Sequence, residues 1–216
     1  MPKADRAQFA MTATLAVCAL VITALVIRRE FFPPDPNAPT VQEDWRELGS
    51  TGLSFGPPNA PVQLLVFTDF QCPYCRRLAK SIATIRAEFR DSVRVVLRHY
   101  PITESHPEAF DLAKGAECAF QPGRFERYHD LAFELQDSLA TIGPLGLAVR
   151  SGVLDTTAFR SCTEDPRTAS KITSDVALGD RIGLAGTPLV MVNELRLVGT
   201  PTLPGLRSRI EAQLDR

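Results

Sequence analysis

Apolar and polar positions fall into three regimes along this chain. From Phe9 to Ile27 no charge interrupts FAMTATLAVCALVITALVI, and Lys3, Arg6, Arg28, Arg29 and Glu30 bracket the run. A helix of that length rises roughly 28 Å, close to a bilayer's hydrocarbon thickness. A cleaved signal peptide would show a shorter apolar run ending in a small-x-small site, whereas this one ends in Leu-Val-Ile-Arg-Arg-Glu. Val17, ahead of Cys18, is too bulky for a lipoprotein signal. Residues 1–30 therefore read as a retained membrane anchor (or an uncleaved signal). Lys and Arg are balanced on its two flanks, which leaves its orientation undecided.

Residues 31–56 read as a Pro/Gly-rich tether, with at most a short edge strand at Leu53–Phe55. The third regime is the patterned one. Val62–Thr68, apolar between Pro61 and Asp69, predicts a buried strand. After Cys72, the residues Leu78, Ile82, Ile85 and Phe89 keep one helical face, and Arg76, Arg77, Lys80, Arg86 and Arg90 supply the other. Val93–Tyr100 predicts a second strand, so residues 57–103 form a βαβ unit with a right-handed crossover. Residues 104–183 read as helical throughout, punctuated at Gln121-Pro122-Gly123, Gly143-Pro144, Gly152 and Asp165-Pro166. Within them Phe125, Tyr128, Ala132 and Leu135 line one amphipathic face. Leu189–Val192 and Leu195–Val198 predict a hairpin around Asn193-Glu194, and Leu206, Ile210 and Leu214 mark a closing helix over the last part, 184–216. The fold class is α/β, interrupted once by helices.

Composition narrows the function classes. The chain has 216 residues, 44% hydrophobic and 23% charged, which suits one packed domain with a front extension. Twenty-four Lys+Arg against 25 Asp+Glu give a net charge of −1, and residues 31–216 are mildly acidic. Neither the basic footprint of a nucleic-acid binder nor a polybasic lipid-binding surface is present.

Cys72-Pro73-Tyr74-Cys75 concentrates the chemistry. Proline is favoured at the first helical position, which makes Cys72 the N-cap. Its sulfur would then meet unpaired N–H groups and the positive end of the helix dipole, conditions that stabilise a thiolate. The i, i+3 spacing lets Cys75 close a disulfide with it. Cys72 would exchange with a substrate sulfur and Cys75 would resolve the mixed disulfide. The competing reading, half of a zinc site, lacks a second Cys-x-x-Cys or Cys-x-x-His, so neither metal nor cofactor is expected.

Asn59-Ala60-Pro61-Val62, Val66 to Cys75 and Gly186-Thr187-Pro188 together resemble the DsbA-like thiol:disulfide oxidoreductases of the thioredoxin superfamily, as does the stretch around His106, Cys118, Phe125, Tyr128 and His129. The resemblance covers about residues 57–215. It implies a thioredoxin fold with an inserted helical domain, and exchange between Cys72/Cys75 and extracytoplasmic protein thiols. It also implies recycling by a membrane thiol oxidase or reductase, and a cis Thr187–Pro188 bond against the Cys pair; the residues themselves admit either isomer. Many relatives carry a buried acid six residues before the first Cys, where this chain has Val66. Asp69 is then the nearest carboxylate, either a proton-transfer group for Cys75 or simply a solvated acid.

Setting aside Cys18 in the apolar run, Cys118 and Cys162 remain for each other if Cys72 pairs with Cys75; two buried free thiols are the other reading. His99, His106 and His129 have no metal-ligand spacing and read as packing or surface residues. The chain is thus expected to be a monomeric, membrane-tethered oxidase acting on reduced secreted or periplasmic proteins. A reductase or isomerase of the same fold, a copper or zinc carrier, and a binding module with a structural disulfide are the alternatives.

Overall fold

The computed structural model describes residues 3–32, 38–197 and 199–216. Positions 33–37 of the expected tether, and Val198 at the end of the expected hairpin, lie outside the described residues. The chain divides into two units, residues 1–38 and 39–216. The first is one helix, α1 (Lys3–Phe31), whose Met11–Phe31 segment is long and apolar enough to cross a membrane.

The second unit is built on a mixed sheet. Val62–Thr68 is apolar at every position but Gln63 and Thr68, and it becomes the central strand β3, after β1 (Thr40–Val41) and β2 (Leu53–Phe55). A helix, α3 (Pro73–Glu88), carries the chain over to the parallel strand β4 (Val93–His99), with Val66 beside Leu97. β5 (Leu189–Val192) and β6 (Leu195–Leu197) form the expected hairpin, and β5 runs antiparallel to β3. The sheet order is β1-β6-β5-β3-β4-β2. Asn193 turns the hairpin at a φ of 50°, a left-handed conformation that Asn tolerates well. Its Oδ1 accepts from the Gln63 N–H at 2.8 Å, tying the turn to the central strand.

β3 is buried on both faces because it divides two cores. Leu64 and Val66 pack with Leu78, Ile82 and Ile85 of α3 and with Leu206 and Ile210 of the closing helix α9 (Leu203–Leu214). Leu65 and Phe67 pack on the other face with Val96, Met191 and Leu48. Between β4 and β5 run α4 (Ala109–Phe120), α5 (Phe125–Glu134), α6 (Leu139–Ser151), α7 (Thr156–Glu164) and α8 (Pro166–Arg181). Phe125, Tyr128 and Ala132 are buried as their spacing predicts, and Leu135 is partly so. Asp155 and Asp165 cap α7 and α8 by accepting from Ala158 N and Arg167 N, each at 2.8 Å. At Gly143-Pro144 the helical region does not end but kinks. Gly143 takes a φ of 64° and α6 continues past it.

Part of the segment read as a tether belongs to the fold. Thr40 and Val41 pair with β6, and Trp45–Leu48 forms a short helix, α2. A buried arginine explains this. Arg98 of β4 donates to Leu48 O from Nε (3.0 Å) and Nη2 (2.8 Å), to Thr51 Oγ1 at 2.7 Å, and to Asp175 Oδ1 at 2.8 Å. A guanidinium inside the protein needs acceptors for its fork, and this segment supplies two, the Leu48 carbonyl and the Thr51 hydroxyl.

Cys118 of α4 and Cys162 of α7 form a disulfide, with the Cα atoms 5.8 Å apart across 44 residues of sequence. Closing a loop of that length stabilises the fold by at most about 4 kcal/mol through chain entropy. The double variant Cys118→Ala/Cys162→Ala is expected to lose roughly 2–4 kcal/mol of unfolding free energy in a denaturant titration. Peptide mapping of the non-reduced protein should recover the cross-linked pair.

Candidate functional site

Cys72 caps α3 with extended backbone (φ −71°, ψ 123°), and Pro73 follows as the first helical residue. Its carbonyl accepts from Arg76 N at 3.1 Å and its own N–H donates to Asp69 O at 3.2 Å, so the cysteine is held at the mouth of the helix from both sides. Cys75, one turn further in, is buried, and both cysteines are free thiols. The Cys72 thiol donates to Thr187 O at 3.3 Å.

The pair is electrostatically asymmetric. The Cys72 pKa is lowered to about 5, chiefly by the Cys75 thiol donating to its sulfur, helped by the Thr187 hydroxyl and the backbone N–H groups of Cys75 and Tyr74 and opposed by burial. That Thr187 hydroxyl is buried with no partner in the dithiol geometry, leaving it available to the thiolate. Cys75 is driven well above the usual thiol range, first by burial and then by the Cys72 sulfur beside it; the Asp69 N–H and the Thr68 hydroxyl pull weakly the other way. At neutral pH one sulfur is an anion and its neighbour a proton donor. Titrating the reduced protein while following thiolate absorbance should give a midpoint near 5. A depressed thiol pKa stabilises the fold fully only above the ordinary thiol value, and that stabilisation is lost as pH falls through about 5. The reduced protein is therefore expected to gain stability from about pH 5 to 9, and Cys72→Ser protein to lack that gain.

Thr187–Pro188 is a cis peptide bond, and Pro188 is buried beside β5. These residues, with Tyr74, Arg77 and Arg196, line an open groove of about 540 Å³, whose Thr187 is the residue that accepts from the Cys72 thiol. Tyr74 is 52% exposed, with the Arg77 guanidinium 4.3 Å over its ring.

Asp69 is not a solvated acid. It is 2% exposed and fully engaged: Oδ1 accepts from Gln71 N at 2.7 Å, and Oδ2 lies 2.8 Å from Ile102 N and 2.7 Å from His106 Nδ1. His106 reaches this carboxylate, and Asp69 clamps the loop that presents Cys72. Gln136, which no sequence signal marked, donates from Nε2 to Phe70 O (2.8 Å) and Cys72 O (3.0 Å) and so fixes the loop from the helical insertion. Gln71 Oε1 accepts from Glu108 N at 2.7 Å. Among the described residues no group of His, Cys, Asp and Glu is placed to hold a metal ion.

The family model described as thioredoxin matches residues 49–212. The chain belongs to the thioredoxin family. The enzyme class that goes with this fold and its cysteine pair is thiol:disulfide oxidoreductase. Among solved structures, this thioredoxin-family chain is similar to a thioredoxin-like oxidoreductase from Silicibacter pomeroyi DSS-3, with a TM-score of 0.68 and 25% identity over 81% of this chain and 99% of that one. It shares its fold with the thiol-disulfide exchange protein α-DsbA2 of Wolbachia pipientis (TM-score 0.68, 18% identity, 79% and 90% covered). The same is true of BdbD from Bacillus subtilis (0.67, 20%, 76% and 92%). Curated relatives carry a different name. The Na(+)/H(+) antiporter NhaA 3 of Salinispora tropica is 36% identical over 155 residues, 72% of this chain but 24% of that protein. NhaA 1 of Mycolicibacterium gilvum is 36% identical over 163 residues, 73% and 26%. The chain thus spans about a quarter of the length of these antiporters, and the ion transport in their names stays with them.

Proposed function

We propose that this thioredoxin-family chain is an extracytoplasmic oxidase that forms disulfides in reduced secreted or periplasmic proteins. The observation that carries this reading is the unequal pair: a thiolate favoured down to about pH 5 beside a thiol raised above its usual range. Stabilising the thiolate stabilises the reduced protein, and a stable reduced form makes the oxidised form a strong oxidant.

Each residue then has a task. In the oxidised enzyme a substrate thiolate attacks Cys72 Sγ, the Cys72–Cys75 bond breaks, and Cys75 leaves with the electron pair and takes up a proton. A second substrate thiolate attacks the substrate sulfur of this mixed disulfide and expels Cys72 as its favoured anion. Pro73 and Tyr74 shape the mouth of α3. Thr187 and Pro188 present backbone to an extended substrate in the groove, and the Thr187 hydroxyl meets the Cys72 anion. Asp69 holds the loop in register, and Cys118–Cys162 braces the helical insertion (104–183). Residues 1–30 anchor the domain to a membrane through α1, beside a membrane thiol oxidase or reductase that recycles the pair.

Equilibration of the Cys72/Cys75 couple with glutathione tests the direction. A potential near −120 mV carries the oxidase reading, and one near −270 mV, the range of thioredoxin, would make the chain a reductase.

A further inference from the structure

Exchange at this site requires Cys75, buried and held neutral, to lose and regain a proton that bulk water does not reach. A small cavity lies against it, about 10 Å³, close to the room one water molecule needs. The residues that line it include Val66, Thr68, Leu78 and Phe133, together with Cys75 and His129. His129 is 3% exposed and is boxed by the rings of Phe55, Phe70 and Phe133, with centroids 5.4, 6.2 and 5.0 Å away. Its Nδ1 lies 2.9 Å from Asp130 Oδ1. A carboxylate there takes the Nδ1 proton as a hydrogen bond, which leaves Nε2 with the free lone pair. Burial pushes the His129 pKa below its ordinary 6.5, so at neutral pH the ring is a base in waiting. The charged and titratable groups around it are Asp130 and, through Arg86, Glu126 on its own helix; Arg86 and Cys75 from α3; and His99 from β4.

We propose that His129, juxtaposed with Cys75 across this cavity, exchanges the Cys75 proton through a single water molecule. The proposal rests on the reading of Cys72 and Cys75 as the exchanging pair. When Cys72 is in a mixed disulfide, the Cys75 S–H gives its proton to the water and the water gives one to His129 Nε2. The freed Cys75 electron pair forms the bond to Cys72 Sγ, the bond between Cys72 and the partner sulfur breaks, and the partner sulfur leaves with that pair. Cys75 and Cys72 end oxidised and the partner sulfur reduced. His129 then releases its Nδ1 proton to Asp130, whose side chain is 38% exposed, and through it to solvent. Run backwards, when Cys75 is expelled by a substrate thiolate, the same path returns a proton to it. His129 is a positioning residue for that proton and touches no substrate.

The test follows the reduced full-length protein after mixing with excess glutathione disulfide, with acid quenching and mass spectrometry separating the Cys72–glutathione adduct from the closed disulfide. The wild-type closing rate is expected to rise with pH and level off at an inflection below 6.5, where His129 becomes neutral. The His129→Gln protein is expected to form the adduct but to close it about 100-fold more slowly at neutral pH, with no inflection and a rate that follows hydroxide. An unchanged closing rate and pH profile in that variant overturns the proposal. If His129→Gln protein makes no adduct because it does not fold, the wild-type profile decides, and a closing rate without an inflection overturns it. Wild-type protein that forms neither adduct nor closed disulfide overturns the assignment of Cys72 as well as this inference.

Discussion

Cys72→Ser protein is expected to oxidise no reduced substrate above the background rate given by glutathione disulfide alone, while Cys75→Ala protein stops half-way and accumulates a disulfide-linked complex with its substrate. The two outcomes differ because the sulfurs differ. Cys72, at the mouth of α3 with its pKa lowered to about 5, is the sulfur hydrogen-bonded to Thr187 O in the groove wall. A serine hydroxyl is not ionised under these conditions and cannot form the S–S bond that carries the electrons. Cys75 lies behind it, protonated and 2% exposed, so its loss spares the attack on Cys72 and removes only the resolving step. Non-reducing electrophoresis with and without thiol reads both variants at once. Turnover surviving in Cys72→Ser protein would show that the pair is structural.

The second large effect concerns stability. Arg98→Ala is expected to cost about 3–5 kcal/mol, roughly 10 °C in Tm for a domain of this size. Arg98 and Asp175 form an ion pair at 2.8 Å with both side chains under 10% exposed. Burial raises the Asp175 carboxyl above its usual range, and His99, whose N–H donates to Oδ2 at 2.9 Å, and then Arg98 offset only part of that rise. Without the guanidinium, the buried Asp175 carboxyl loses its counter-charge and Leu48 O loses two donors. The Asp175→Asn/Arg98→Met protein should recover part of the loss, because a buried pair replaced on both sides leaves less uncompensated charge. Thermal melts of the two proteins distinguish this from a general loss of packing.

What the sequence made legible follows from how local each signal was. β3 and α3 could be placed because an apolar run and a 3.6-residue stripe are properties of neighbouring residues, and Pro73 marked the helix start by its own backbone chemistry. Cys72 and Cys75 were legible for the same reason. β1 was not, since two exposed residues carry no periodicity, and α2 was hidden because its attachment is made by Arg98, some fifty residues away. Nor could Asp69 be read as a buried clamp. Its three partners lie at Gln71, Ile102 and His106, and burial of the carboxylate is decided only once β4 has brought residues 102–106 over the loop. Gln136 acts across 64 residues on Cys72, a distance over which pattern says nothing. Long-range polar contacts, more than the apolar core, escaped the reading.

The brace between α4 and α7 has a bearing on how each copy of this protein comes into being. A newly made domain carries four thiols, which can be joined two by two in three ways. Two of those ways tie up Cys72 with a sulfur of the helical insertion and yield a dead molecule. A fresh chain must therefore itself undergo thiol:disulfide exchange, with the right partner chosen for each sulfur, before its own pair is free to take part in it.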